Sequence, residues 1–211
     1  MRARAVVPQK ALSGAKSRLE GVLSAAGRAA LSLALLRHVC AALRAVPGVE
    51  SVVVMTPDYT ARAAAAAWGV GSVIDPRPGL NASLGQVVRD GAREYALLVV
   101  AADLPLLTPD DVVALLAPAR RGRLVLAPSK EGTGTNAVVV PPGTAFQPAY
   151  GTASLAAHRR GARALGLDVV EVRRPGLAFD VDTEADFLAV RYCESFVSVA
   201  PTPDGVRCGW R

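Results

Sequence analysis

The stretch Ala-Leu-Leu-Val-Val-Ala-Ala-Asp-Leu-Pro, residues 96–105, decides the fold class. Its first seven residues are apolar at every position, which is typical of a parallel strand buried on both faces. The apolar run stops at Asp103, and a charge at the end of a buried strand requires a partner. The alternative is that Asp103 only begins the turn at Leu104-Pro105. The stretch predicts a central strand with a polar site at its carboxyl end.

Strand and helix patterns alternate on both sides of this stretch. The other segments that predict strands are 3–8, 51–56, 71–75, 123–128, 136–140 and 168–172. The residues that predict helix starts are Ser24, Asp58, Asn81, Thr108, Thr152 and Thr183. Such alternation predicts an α/β fold with a mostly parallel sheet and right-handed crossovers.

Composition places the chain among globular proteins. Hydrophobic residues make up 51% of the 211 residues and charged residues 20%, which excludes a disordered chain. This length favours one domain, predicted at 1–195, followed by a loose C-terminal tail at 196–211. The N-terminal apolar run is too short for a signal peptide, and no apolar run is long enough to span a membrane. We therefore expect a cytoplasmic protein with no membrane partner.

Charge and cysteine content restrict the class of ligand. A net charge of +6 permits either nucleic acid or a small phosphorylated ligand. Aromatic residues are only 5% of the chain, so few side chains can stack on the bases of single-stranded nucleic acid. A compact anionic ligand is favoured, and a basic nucleic-acid-binding module is the alternative. The three cysteines have no paired spacing, which argues against a disulfide framework or a zinc cage.

Two further carboxylates, Asp180 and Asp182, occur late in the chain at positions i and i+2. In an extended segment both side chains point to the same side. Two like charges on one face are costly unless a cation lies between them, and Mg²⁺ is a suitable cation for carboxylate oxygens. The alternative is that Asp182 or Thr183 caps the last helix.

A basic cluster follows the first strand. Lys10, Lys16 and Arg18 fall within nine residues, in a loop that contains glycine. Lysine as a point charge and arginine as a bidentate donor are suited to phosphate groups. The loop lacks the GxxxxGK[ST] pattern of a P-loop, and its alternative interpretation is a solvated basic helix start.

Two glycine-containing segments are candidates for anion binding. The run Gly132–Asn136 offers hydroxyls and backbone amides, although it also fits a hairpin connection. The segment 150–154 precedes a helix, whose N-terminus attracts anions, although Thr152 is suited to be an ordinary cap. His38 and His158 both fall on predicted helices and are interpreted as structural or surface residues.

Eight short motifs occur in the order of one known family. They are Pro8-x-Lys10, Ala15-Lys16-Ser17-Arg18-Leu19, Gly79-Leu80-Asn81, Ala102-Asp103-Leu104-Pro105-Leu106, Gly132-Thr-Gly-Thr135, Gly151-x-x-Ser154, His158-Arg159 and Asp180-Val-Asp182-Thr183. Across about residues 5–190 the chain resembles the guanylyltransferase family of coenzyme F(420) biosynthesis. That family joins GMP from GTP to a small phosphorylated three-carbon acid. The resemblance implies a three-layer α/β/α sandwich, the nucleotidyltransferase variant of the Rossmann-like fold, with a mixed, mostly parallel sheet.

The resemblance also implies site residues. The family's metal carboxylates correspond to Asp103, Asp180 and Asp182, which would hold Mg²⁺. The nucleotide side corresponds to Lys16, Arg18, Asn81 and Asp103, and the acid side to Lys10, Thr135, Gly151 and Ser154. Lys10, Lys16 and Arg18 are the catalytic candidates, because they offset the charge of the phosphates. Gln9 and Asn136 depart from the family pattern, and we expect the Asn136 side chain to lie near the acid.

The implied partners are GTP, the acid and the transferase that consumes the product. The acid is phosphoenolpyruvate, 2-phospho-L-lactate or 3-phospho-D-glycerate. The composition rich in alanine and arginine indicates a GC-rich genome, where the phosphoenolpyruvate enzymes of the family are common, so the resemblance favours phosphoenolpyruvate. The acid's phosphate is already ionised at neutral pH, so the implied reaction requires no general base. A related nucleotidyltransferase that uses CTP or a sugar phosphate is the alternative enzyme.

Overall fold

The apolar stretch at 96–100 forms the middle strand of a seven-stranded sheet. The computed structural model describes residues 1–74, 79–91 and 94–190. Within these ranges the strands are β1 (Ala3–Pro8), β2 (Val49–Met55), β3 (Gly71–Val73), β4 (Ala96–Val100), β5 (Arg123–Pro128), β6 (Thr135–Val140) and β7 (Asp168–Glu171). Their order is β3-β2-β1-β4-β6-β5-β7, so the predicted central position of β4 is confirmed.

One strand makes the sheet mixed. β6 is antiparallel to both of its neighbours, β4 and β5, whereas the other neighbouring pairs are parallel. β4 is therefore parallel to β1 but antiparallel to β6. The apolar sequence of β4 indicates burial on both faces but does not indicate the direction of its neighbours. The segment between β5 and β6 is a hairpin connection, as one of the two interpretations of Gly132–Asn136 predicted. This reversal places Thr135, the first residue of β6, at the edge where β1 and β4 end.

Helices cover both faces of the sheet. They are α1 (Ala25–Arg44), α2 (Tyr59–Ala67), α3 (Leu80–Gly91), α4 (Pro109–Leu116), α5 (Ser154–Ala164), α6 (Pro175–Ala178) and α7 (Glu184–Val190). Side chains of α1, α2 and α4 share one apolar core with the sheet. Side chains of α3 and α5 share a second core on the opposite face. The three-layer α/β/α sandwich expected from the sequence is confirmed.

The longest helix, α1, begins where the sequence predicts. The Ser24 hydroxyl accepts a hydrogen bond from the Gly27 N–H group at 3.1 Å, which is an ordinary N-cap. By length and composition alone, this helix is apolar enough to cross a membrane. Four of its leucines, Leu31, Leu35, Leu36 and Leu43, are instead fully buried inside the domain. We therefore interpret α1 as a core helix.

The start of α5 differs from the prediction. The helix begins at Ser154, and its N-cap residue is Ala153 in the left-handed conformation (φ 55°) with no side-chain cap. The predicted cap by Thr152 is wrong, because Gly151 (φ 132°) and Ala153 both turn the chain before the helix forms. The predicted tail at 196–211, and the last residues of the predicted domain 1–195, lie outside the described residues.

Candidate active site

A cleft of about 600 Å³ lies at the edge of the sheet where β1 and β4 end and β6 begins. Its floor comes from β1 and the residues after β4, and its rim from the loop after β1. The predicted site residues that line the cleft are Lys10, Lys16, Arg18, Asp103, Thr135 and Asp182. This agrees with the general position of ligands in open α/β sheets, beyond the carboxyl ends of the strands.

Lys16 joins two of the predicted carboxylates. Its ammonium group donates to Asp103 Oδ2 at 2.5 Å and to Asp182 Oδ1 at 3.0 Å. The side chain of Lys16 is only 9% exposed. Its backbone is left-handed (φ 52°), a conformation that costs a residue with a side chain about 1–2 kcal/mol. A strained, buried lysine between two acids marks the centre of the cleft as a functional site.

Electrostatics tie a third carboxylate to this group. Burial raises the pKa of Asp180 to about 6, and the nearby charges of Asp103 and Asp182 act in the same direction. Burial alone would lower the pKa of Lys16, but the two carboxylates outweigh it and the pKa is raised. Asp103, Asp180 and Asp182 therefore repel one another, and the Lys16 ammonium partly neutralises them.

Local contacts explain how the late segment reaches the site. Val181 is fully buried, and its N–H group donates to the Asp103 carbonyl oxygen at 3.2 Å. Thr183 caps α7, because its hydroxyl accepts from the Asp186 N–H group and donates to the Asp186 carboxylate. The capping interpretation thus holds for Thr183, which leaves the Asp182 carboxylate to bind Lys16.

The predicted metal site has suitable donors, but the structure arranges them around an ammonium group. Across residues 1–74, 79–91 and 94–190, no group of three or more His, Cys, Asp or Glu side chains is arranged to hold a metal ion. The Lys16 ammonium lies between Asp103 and Asp182 instead. Carboxylate oxygens are the donors that Mg²⁺ prefers, so the residues fit a divalent cation in their chemistry.

Two other cations face the cleft. Lys10 and Arg18 are both exposed and line it. Neither forms an ion pair with another residue in the described part of the chain. They can therefore meet the charge of an anionic ligand without first breaking an internal salt bridge.

Thr135 contacts His158, a residue that the sequence predicts to be structural or at the surface. Its Oγ1 atom lies 3.1 Å from Nδ1 of His158, whose ring is fully buried. The other ring nitrogen, Nε2, accepts from the Ala149 N–H group at 2.9 Å. The spacing in the sequence could have indicated a link between His158 and the predicted acid side. Ser154 and His158 are four residues apart, and residues four apart lie on one face of a helix.

The other predicted acid-side residues, Ser154 and Gly151, are not part of the cleft lining. Ser154 is buried, and Gly151 is exposed but is not part of the lining. Two of the first amides of α5 already have partners: Ser154 N–H donates to the Gly151 carbonyl oxygen and Leu155 N–H to that of Thr133. The N-terminus of α5 is thus partly occupied by the protein's own carbonyl groups.

Asn81 positions a residue of the cleft wall. Its Nδ2 group donates to the Tyr150 carbonyl oxygen at 2.9 Å, and its Oδ1 accepts from the Tyr150 N–H group at 2.7 Å. Tyr150 lines the cleft and packs edge-on against His158, with ring centroids 5.0 Å apart. The nucleotide-side role of Asn81 stays a prediction, whereas the structure shows its contact with Tyr150.

Asn136 supports the carboxylate segment. Its Nδ2 group donates to the carbonyl oxygens of Leu177 and Ala178 at 3.1 and 3.0 Å, and lies 3.4 Å from Asp180 Oδ1. The expected contact between Asn136 and the acid stays a prediction. Gln9, the other departure, is buried and donates to the carbonyl oxygen of Lys10.

Comparison with known sequences gives matches over most of the chain. A family described as "Guanylyl transferase CofC like" matches residues 3–192. A phosphoenolpyruvate guanylyltransferase of Sphaerobacter thermophilus is 42% identical over 186 residues, which are 86% of this chain and 89% of that protein. A 3-phospho-D-glycerate guanylyltransferase of Phenylobacterium zucineum is 39% identical over 194 residues, 89% of each chain.

Comparison with solved structures gives the same fold. A nucleotidyl transferase from Methanothermobacter thermautotroptrophicus superposes with a TM-score of 0.63 at 20% sequence identity. The match covers 90% of this chain and 96% of that one. The chain therefore shares the α/β fold of that structure.

Proposed function

The chain belongs to the family of CofC-like guanylyl transferases, and we propose that it transfers GMP from GTP to phosphoenolpyruvate in coenzyme F(420) biosynthesis. In this reaction a phosphate oxygen of the acid attacks the α-phosphorus of GTP. A new P–O–P linkage forms between the acid and GMP. The bond between the α-phosphorus and the oxygen that bridges to the β-phosphate breaks, and pyrophosphate leaves. The observation that carries the proposal is the group of Lys16, Asp103 and Asp182 in a cleft that Lys10 and Arg18 also line.

The side chains of the cleft act mainly by positioning and by neutralising charge. Two polyanions repel each other, so cations that hold both in register contribute directly to the rate. Lys16 and Arg18 are assigned to the nucleotide phosphates, and Lys10 to the acid. The phosphate nucleophile is ionised at neutral pH, so the site works without a general base.

The carboxylates are assigned to a divalent cation, proposed as Mg²⁺. Asp103, Asp180 and Asp182 would hold it, and when bound it would supply positive charge to the reacting phosphates. Their mutual repulsion, seen in the raised pKa of Asp180, supports this assignment. The Lys16 ammonium bridges Asp103 and Asp182, so the cation would share these two carboxylates with Lys16.

A second acid is supported by one specific observation. The relative from Phenylobacterium zucineum, named for 3-phospho-D-glycerate, is almost as similar to this chain as the relative named for phosphoenolpyruvate. Both acids carry a phosphate and a carboxylate on three carbons, so one cleft can accept either. 3-Phospho-D-glycerate is therefore the alternative substrate.

The enzyme is proposed to act in the cytoplasm, where GTP is available. Its product contains an activated diphosphate linkage, so a downstream transferase that consumes the product is the expected partner.

A pyrophosphate-release assay tests the proposal. Purified protein is given GTP and Mg²⁺ with phosphoenolpyruvate, 2-phospho-L-lactate or 3-phospho-D-glycerate in turn, and the product is identified by mass spectrometry. We expect release of pyrophosphate with phosphoenolpyruvate and little with CTP in place of GTP. Release with none of the acids, combined with salt-sensitive binding to nucleic acid, would favour the nucleic-acid-binding alternative.

A further inference from the structure

The hydroxyl of Thr135 is held from behind by a buried ring. Thr135 is the first residue of β6, it lines the cleft, and it is only 6% exposed. His158, on α5, is fully buried, and its Nδ1 lies 3.1 Å from Thr135 Oγ1. Within the described ranges, this is the hydroxyl's one hydrogen-bond partner. The contact therefore decides which way the hydroxyl hydrogen points.

A backbone amide determines the tautomer of the ring. The Ala149 N–H group can only donate, and it lies 2.9 Å from His158 Nε2, so Nε2 is the acceptor. A neutral imidazole with an acceptor Nε2 carries its proton on Nδ1. Burial lowers the pKa of His158 to about 4, so the ring is neutral at physiological pH. The Nδ1–H group must then donate to Thr135.

This assignment leaves the hydroxyl proton of Thr135 for a ligand. A hydroxyl has one hydrogen to donate and two lone pairs that accept. Since Oγ1 accepts from His158, its own hydrogen points away from the ring. Thr135 is thereby prepared as a donor to an anionic oxygen.

We propose that His158 is a positioning residue that orients the Thr135 hydroxyl as a hydrogen-bond donor to the phosphorylated acid. The identity of the ligand rests on the proposed function, whereas the tautomer of His158 follows from its contacts alone. The aromatic rings of Phe146 and Tyr150 pack against His158, with centroids 5.8 and 5.0 Å away. They hold the ring in place and exclude water, so the donor direction is set before the acid binds.

Nitrogen NMR tests the tautomer without any catalytic assay. The chain contains two histidines, so a His38→Gln variant assigns the signals of His158 in ¹⁵N-labelled protein. At neutral pH we expect a protonated Nδ1 and an unprotonated Nε2. A protonated Nε2, or a ring protonated on both nitrogens, would overturn the proposal.

Kinetics with matched variants test the positioning role. His158→Asn keeps an amide donor at the place of Nδ1, whereas His158→Gln places its amide at the position of Nε2 and leaves no donor where Nδ1 lies. We expect His158→Gln to lower kcat/KM for the acid by about ten- to a hundredfold, the scale of a hydrogen bond to a charged group. His158→Asn should lose less, and KM for GTP should stay nearly constant in both.

The Thr135 variants complete the test. Thr135→Val removes the hydroxyl, Thr135→Ser keeps it, and His158→Gln in the Thr135→Val background should add little further loss for the acid. Equal losses in the two His158 variants, or fully additive losses in the double variant, would contradict the positioning role. Should the wild-type protein turn over no acid, the proposed function fails while the NMR result still decides the tautomer.

Discussion

At the scale of single residues, Lys16 connects two carboxylates of the site, Asp103 and Asp182. It combines a left-handed backbone, a side chain 9% exposed, and hydrogen bonds to two acids. The same acids are proposed to hold a divalent cation, so the ammonium group would compete with that cation for them. In this proposal Lys16 neutralises the carboxylates in the free protein and would contact the nucleotide phosphates in the loaded one.

Removing this ammonium group should strengthen metal binding by the protein alone. We expect Lys16→Met to raise the affinity for Mn²⁺, measured by electron paramagnetic resonance without nucleotide, on the order of tenfold, because a competing charge at contact distance is lost. Lys10→Met is the control, since Lys10 lines the cleft but pairs with no described carboxylate. Unchanged or weaker Mn²⁺ binding in Lys16→Met would contradict the competition.

The carboxylate of Asp182 should be essential for turnover. Asp182→Asn keeps the shape of the side chain and removes its charge, so we expect kcat to fall by about two or more orders of magnitude, the scale of several kcal/mol for a metal clamp. Steady-state kinetics at saturating GTP measure this loss. Asp110→Asn, in the first turn of α4, should turn over normally. A near-normal rate in Asp182→Asn would remove this residue from the metal assignment.

Among helices and strands, the short helix α6 controls where the late carboxylates lie. It packs beside the start of α4, and its residues Leu177 and Ala178 accept the two hydrogen bonds from Asn136. A Cβ atom on Gly176 would lie 2.5 Å from the Leu106 carbonyl oxygen and closer still to the carboxylate of Asp111. The segment that leads to Asp180 thus depends on the absence of a side chain in α6.

A methyl group at Gly176 should therefore destabilise the fold. We expect Gly176→Ala to lower the free energy of unfolding by about 1–3 kcal/mol, the usual cost of overpacking, because a backbone oxygen cannot move aside easily. Urea denaturation measures the change. Gly21→Ala is the control, since its Cβ would meet only Glu184, at 3.8 Å. Equal stabilities of the two variants would show that α6 can shift at little cost.

For the molecule as a whole, the buried His158 makes stability depend on pH. Burial lowers the pKa of His158 from 6.5 to about 4, and it lowers that of His38 as well. The His158 ring is neutral in the fold down to about pH 4 and becomes charged on unfolding in mild acid. The unfolded chain then binds more protons than the fold, so the free energy of unfolding falls as pH falls.

The loss due to His158 should extend from about pH 6.5 down to about pH 4. Within this window each bound proton changes the free energy of unfolding by about 1.4 kcal/mol per pH unit. His158→Gln should reduce the slope of the free energy of unfolding against pH by the contribution of one proton. Urea denaturation at several pH values measures this slope. Tyr150, whose pKa burial raises, stays neutral throughout the window. An identical slope in wild type and variant would mean that His158 is already charged in the fold.

Local patterns in the sequence determined most of the architecture. The apolar run at 96–102 predicted the central strand, and Ser24, Asp58 and Thr108 were identified correctly as helix caps. A cap forms between groups about three residues apart, and a buried strand requires only apolar side chains, so both leave signals that can be read locally. The motif residues were also visible, because their side chains are chemically distinctive.

Tertiary structure decided the direction of β6 and the pairings within the cleft. Lys16 contacts Asp103, which lies 87 residues away in sequence, and Asp182, which lies 166 residues away. No local pattern encodes contacts at such separations. The left-handed turn at Ala153 and the burial of His158 against Thr135 likewise depend on packing between α5 and the sheet. Such contacts are decided by the free energy of the whole fold, because each requires elements distant in sequence to be packed together first.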